Sequence, residues 1–122
     1  TTAVEYAGSW DAYPVILIYG PITNPIVTNL ASGDDLNFTG ITIGGGDYYT
    51  IDTRYGYKQV YKNGSTADAR IQELTSASDL STFRLLRKPK APGGLNAIRV
   101  QGSSVNTSTQ VYLSYNSRFV GI

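Results

Sequence analysis

The chain has 122 residues, 41% hydrophobic and 16% charged, which fits one folded domain and excludes a disordered or coiled-coil chain. It contains no His, Cys or Met, so disulfides, zinc and iron–sulfur sites, haem ligation, Cys nucleophiles and His-based triads are excluded. A formal net charge of +1 gives no electrostatic case for nucleic acid or a membrane surface as partner.

The opening Thr1-Thr2-Ala3 lacks Met, and no basic segment followed by an apolar one comes after it, so no signal peptide is expected. Such a start is read as a processed chain or one domain of a longer protein. The longest apolar run, Val15 to Tyr19, is far short of the ~20 residues of a membrane span. Thirteen Thr, eleven Ser, thirteen Gly and ten Tyr point to β structure with Gly-rich turns.

Tyr13 to Tyr19 is apolar on both faces, predicts a central strand and closes at Gly20-Pro21. Asn24-Pro25 punctuates, Ile26 to Leu30 is the next strand, and residues 31–35 form a turn. Leu36 and Phe38 share one phase while Ile41 and Ile43 take the other, which predicts a β-bulge at Gly40. Gly44-Gly45-Gly46-Asp47 reads as a hairpin turn. A phosphate cradle would need a helix N-terminus behind it, and none is expected.

Tyr49, Ile51 and Thr53 alternate with Thr50, Asp52 and Arg54, as in a strand buried on one face. Lys58 to Lys62 runs into Asn63-Gly64, a strong hairpin signal. Asp68 to Phe83 predicts one or two helical turns, with a capping box at Ser76 to Asp79. Strands are expected again at Phe83 to Arg87, around Ile98 and Val100, around Val111, Leu113 and Tyr115, and at Arg118 to Ile122. About nine strands predict an all-β, two-sheet antiparallel sandwich of jelly-roll type, with a closed barrel as the alternative. No repeat or domain boundary is visible, so residues 1–122 read as a single domain.

The absences leave little chemistry, and no catalytic residue, metal ligand or cofactor is expected. Asp34, Asp35, Asp47 and Asp52 do not follow the spacing of a calcium loop, and turns use Asp for backbone reasons. No carboxylate pair is marked for glycosidase work, and no Ser has a base beside it. Four cations between Arg84 and Lys90 lack interleaved aromatics and read as a solvated loop or a contact to an acidic neighbour.

The most site-like stretch is Arg54-Tyr55-Gly56-Tyr57-Lys58. Exposed Tyr55 and Tyr57 can stack on sugars or anchor a protein interface, and an ordinary tyrosine-rich hairpin is the plain alternative. Trp10 fits a core plug or an interface anchor. Asn-x-Ser/Thr sequons begin at Asn37, Asn63 and Asn106.

The order of motifs resembles the C-terminal domain of distal tail proteins from long-tailed, non-contractile bacteriophages. The resemblance rests on Gly8-Ser-Trp-Asp-Ala-Tyr-Pro-Val-Ile-Leu-Ile-Tyr-Gly-Pro21, Ile26-Val-Thr-Asn29, Tyr49-Thr-Ile-Asp-Thr-Arg54 and the Asn63-Gly64 turn. Leu74 to Leu80, Gly93-Gly-Leu-Asn-Ala-Ile-Arg99 and Arg118-Phe-Val-Gly-Ile122 continue it. It covers nearly the whole chain in order and departs at the basic Arg87 to Pro92 stretch, where a shorter turn is expected. Trp10, Asp11, Tyr13, Pro14, Gly20, Pro21, Asp52, Asn63, Gly64 and Asn96 stand as its signature and are read as structural.

The resemblance implies a galectin-like or carbohydrate-module-like sandwich without enzymatic activity. It implies that an N-terminal domain outside this chain forms a hexameric ring at the virion tail tip. This domain would then be a peripheral attachment platform for neighbouring tail-tip or receptor-binding proteins, made in the bacterial host cytoplasm. A host cell-wall glycan is the other partner it implies, and a carbohydrate-binding module is the alternative reading.

Overall fold

The computed structural model describes residues 2–6, 11–54, 56–65, 67–75, 80, 82–87 and 95–115. Their strands are β1 (Thr2–Glu5), β2 (Val15–Tyr19), β3 (Ile22–Asn29), β4 (Asp34–Asn37), β5 (Thr42–Ile43), β6 (Tyr48–Asp52), β7 (Gln59–Lys62), β8 (Leu95–Ser103) and β9 (Gln110–Ser114). They form two antiparallel sheets. One runs β1-β8-β3-β4, with β5 also on β3, and the other runs β7-β6-β2-β9. The one helical element among the described residues is a 3₁₀ turn at Ile71–Glu73.

β2 is rich in β-branched residues and has β6 on one side and β9 on the other. Ile16 and Ile18 point into the core, while Val15, Leu17 and Tyr19 are half-buried on the outer face. Tyr49, Ile51 and Val60 join them from β6 and β7. Val27, Leu36, Phe38, Ile43 and Ile98 contribute from the other sheet, and Tyr6, Phe83 and Leu85 from the segments between strands.

Four local readings of the sequence are corrected. Asn24-Pro25 does not interrupt a strand but lies inside β3. The pairing with β8 slips there, from Thr23↔Ser103 to Ile26↔Gln101, which is one extra residue on β3. A bulge suits Pro25, which has no N–H to give the ladder. Gly40 does mark a slip, though a wider one than a one-residue bulge: the pairing with β3 moves from Ile26↔Asn37 to Thr23↔Thr42, two extra residues on the β4–β5 side. Gly40 sits in the turn after β4 at φ 96°, and its N–H donates to Asn24 Oδ1 at 2.7 Å, tying the turn to the bulge across from it. The turn at Gly44 to Asp47 is closed by Asp47 N–H to Gly44 O at 3.1 Å, but it makes no hairpin. β5 belongs to one sheet and β6 to the other, so this turn carries the chain between layers.

The fourth correction concerns Phe83 to Arg87, which forms no strand. Leu85 makes an isolated two-bond bridge with Ala12, at 3.0 and 2.7 Å. Leu86 gets its partners from a side chain: Asn96 Oδ1 accepts from Leu86 N at 2.8 Å, and Asn96 Nδ2 donates to Leu86 O at 3.2 Å. A buried amide presents one donor and one acceptor side by side, so it stands in for a strand. The strand read at Arg118 to Ile122 and the capping box at Ser76 to Asp79 lie outside the described residues.

The Asn63-Gly64 turn is present. Both residues have positive φ, 54° and 72°, as a type I′ turn requires, and Ser65 N–H closes it onto Lys62 O at 3.1 Å. The chain then returns beside β7 through a single bridge, Tyr61↔Ala69. Between β8 and β9 the sheets part around a cavity of about 540 Å³, lined by Val4, Ile22, Val27, Val100, Val111 and Leu113 among others. Val100 shares the inward phase of Ile98, yet it is 37% exposed because it borders this opening, while Ile98 is 6% exposed.

Candidate functional site

The outer face of the β7-β6-β2-β9 sheet follows from strand register. Tyr19 pairs with Tyr48 on β6 and Gln110 on β9. Leu17 pairs with Thr50 and Tyr112, and Thr50 with Tyr61 on β7. Residues directly opposite share a face, so Tyr19, Tyr48, Tyr61 and Tyr112 all lie on this side. The rings of Tyr19 and Tyr48 stack at 4.8 Å and 20°, and Tyr112 meets Tyr19 edge-on at 5.6 Å and 87°. The Tyr112 hydroxyl hydrogen-bonds Gln110 Oε1, and its side chain is 51% exposed.

Four residues further along the strands, about 13 Å away, the same face carries Asp52. Asp52 is 2% exposed, and its carboxylate holds Arg54 through both oxygens, from Nε at 2.9 Å and NH2 at 2.7 Å. This hydrogen bond and charge hold the guanidinium above its ordinary pKa. The guanidinium carbon lies 4.8 Å from the centre of the Tyr57 ring, and Tyr57 is 61% exposed. The chain of support runs from buried Asp52 to Arg54 to an exposed aromatic ring. Tyr55 and Trp10 lie outside the described residues.

Asp52 also corrects the reading of β6 as buried on one face. Tyr49, Thr50, Ile51, Asp52 and Thr53 are all buried. On the outer side Arg54 closes over Asp52, and Leu17 and Tyr61 flank Thr50. The face is neutral: by register Asp52 is the only ionised side chain among its strand residues, and Arg54 offsets it.

The other singled-out residues hold the frame. Asp11 accepts from Arg84 Nε at 3.0 Å and Arg87 N at 2.9 Å, and Arg84 also reaches Asp34 at 3.1 Å. Arg84 is thus spent inside the chain, while Lys88 and Lys90 of the same basic stretch lie outside the described residues. The Tyr13 ring sits under the Lys58 ammonium at 4.6 Å. That ammonium donates to Thr53 O at 2.6 Å and Leu80 O at 3.3 Å, and burial pulls it below its ordinary pKa. Pro14 O accepts from Thr53 N at 3.2 Å.

Gly20, joined to Pro21 by a cis bond, leaves no room for a side chain: a Cβ there would lie 2.2 Å from Gly44 O. Pro21 O accepts from Thr109 Oγ1. Asn63 Oδ1 accepts from Tyr48 N at 2.9 Å, and its Nδ2 donates to Asp47 at 3.1 Å, tying the turn to the edge of the tyrosine cluster. Asn96 and Asn29 are fully buried and joined at 3.1 Å.

Sequence reading singled out the loop tyrosines and passed over Tyr19, Tyr48, Tyr61 and Tyr112. Their phase was legible, since each alternates with a core residue of its own strand. That they converge follows only from strand order. Among the described residues no group of three or more Asp or Glu is placed to hold a metal ion, and no helix is long and apolar enough to cross a membrane. A scan against protein-family models finds no match, nor do searches of the curated proteins and of the solved structures.

Proposed function

We propose that this chain is a non-enzymatic attachment domain of a phage tail tip. In this reading it is a galectin-like or jelly-roll sandwich from the C-terminal part of a distal tail protein, held on a hexameric ring by a domain outside this chain. It grips a neighbouring tail-tip or receptor-binding protein through the tyrosine face. The observation behind this reading is the interlocked Tyr19–Tyr48–Tyr112 cluster on a neutral sheet face. Rings already packed on one another lose little freedom on binding, and amphipathic Tyr is a favoured interface anchor.

The test is electron microscopy of phage particles with this chain labelled. The label is expected at the tail tip, and label found on no virion refutes the proposal. A Tyr19→Ser/Tyr112→Ser double variant that folds should leave the partner protein off the particle.

The carbohydrate-binding alternative draws on Tyr57, exposed and braced on one side by Arg54. Sugar stacking needs open ring faces, and Tyr19 and Tyr48 each spend one on the other. Calorimetry with cell-wall sugars at about 1 mM, the weak end of binding, decides this reading, and absence of heat removes it.

A further inference from the structure

The two sheets have four outer edges, and they are not equally protected. β7 is flanked by the returning chain, with Lys62 N–H on Asp68 O at 3.1 Å and Arg70 N–H on Val60 O at 2.7 Å. β4 begins with two carboxylates, Asp34 and Asp35, and β1 ends on Glu5. Charge on an edge strand discourages pairing with another copy. Among the described residues, β9 has none of these protections. Its sequence Gln-Val-Tyr-Leu-Ser carries no charge and no Pro, and among the described residues no strand pairs with its outer edge.

We propose that β9 pairs antiparallel with β9 of a second copy about a two-fold axis through Tyr112, joining two four-stranded sheets into one of eight strands.

The sequence of β9 is complementary to itself in this register. Gln110 faces Ser114 of the second copy, Val111 faces Leu113, and Tyr112 faces Tyr112. Like then meets like on each side: Val111 and Leu113 on the inner side, where they border the open cavity, and the tyrosines on the outer side. No like charges are brought together. The second copy would add its own Val111 and Leu113 at the mouth of the cavity. A two-fold axis makes the contact isologous, so it closes at the dimer and does not propagate. Five paired residues bury well under the ~800 Å² per partner of a standard interface, so the dimer forms at high local concentration. The proposal needs no partner protein and stands apart from the attachment reading.

The experiment uses the 122-residue chain alone, whose lack of Cys makes one engineered thiol a clean reporter. Tyr112→Cys places two thiols opposite each other at the centre of the pairing, whereas Ser108→Cys puts an exposed thiol in the β8–β9 loop. Under mild oxidation Tyr112→Cys is expected to form dimer at least about tenfold faster than Ser108→Cys, a ratio set by the proximity that pairing enforces. Equal rates overturn the proposal.

In sedimentation the wild type should rise from 13.2 kDa toward twice that mass with concentration. Tyr112→Lys should stay monomeric, and its equimolar mixture with Tyr112→Glu should regain the dimer. A wild type that remains monomeric up to about 1 mM, or a Tyr112→Lys variant that dimerises as the wild type does, overturns it equally.

Discussion

Truncating Asn96 to Ala tests how the segment around Leu86 is held without a strand. The side chain is fully buried; it bonds the Leu86 backbone at both N–H and C=O, and its Oδ1 also accepts from Asn29 Nδ2. Asn29 Nδ2 keeps a second acceptor, Arg84 O at 2.7 Å, so the loss falls on Leu86 N–H and C=O. A buried backbone group left unpaired costs about 1–3 kcal/mol, which puts Asn96→Ala near 4 kcal/mol. That is a large share of the 5–15 kcal/mol that holds a typical domain folded. At this chain length the unfolding entropy converts each kcal/mol to about 4 °C, so the melting temperature should fall by about 15 °C. Calorimetry reads the shift. Amide hydrogen exchange at Leu86, read against the other core amides, separates local release from general destabilisation. A fall under about 4 °C with Leu86 still protected would refute the idea that the Asn96 amide replaces a strand.

Three further outcomes follow from the packing. Gly64→Val forces a β-branched residue to φ 72° and sets its Cβ 2.6 Å from the Tyr48 hydroxyl. It should cost about 2 kcal/mol or more, and a wild-type melt would show the turn is not as described. Ile51→Ala, in the closed part of the core, should cost about 2–5 kcal/mol. Val111→Ala, beside the cavity, should cost about 1 kcal/mol, and equal losses in urea titrations would contradict the open seam. Burial and the Glu73 carboxylate, to which its hydroxyl donates, hold the Tyr49 phenol above its ordinary pKa. The folded state then keeps a proton that the unfolded chain releases near pH 10. Stability is whole below that pH and is lost as pH rises above it. Tyr49→Phe should flatten the alkaline limb of a stability–pH curve, and a limb as steep as that of wild type would count against the buried phenol.

Much of the layered β architecture was legible from period-two alternation. Ile16 and Ile18, or Tyr49 and Ile51, show their inward phase directly, and Asn63-Gly64 marks its turn by backbone preference alone. The misreadings occur where polar side chains take over backbone duties. Asn24 fills a bulge and accepts from a turn glycine, while Asn96 serves as a strand for Leu86. Residue type does not announce either role, because a surface Asn looks the same in sequence. At Gly40 alternation showed the slip in the right place, but not that the chain spends two extra residues there on a turn between β4 and β5. The tyrosine face stayed hidden for a topological reason. Tyr19, Tyr48, Tyr61 and Tyr112 come from four strands whose order in the sheet is not their order in the chain.

Asp52 and Arg54 neutralise each other inside one chain before any partner arrives. Changing salt from 0.01 to 1 M shortens the screening length from about 30 Å to about 3 Å and weakens recognition that depends on opposite charges. A grip made of rings and hydroxyls over a self-compensated ion pair has little such attraction to lose. An attachment made through this face would hold nearly as well in brine as in dilute buffer.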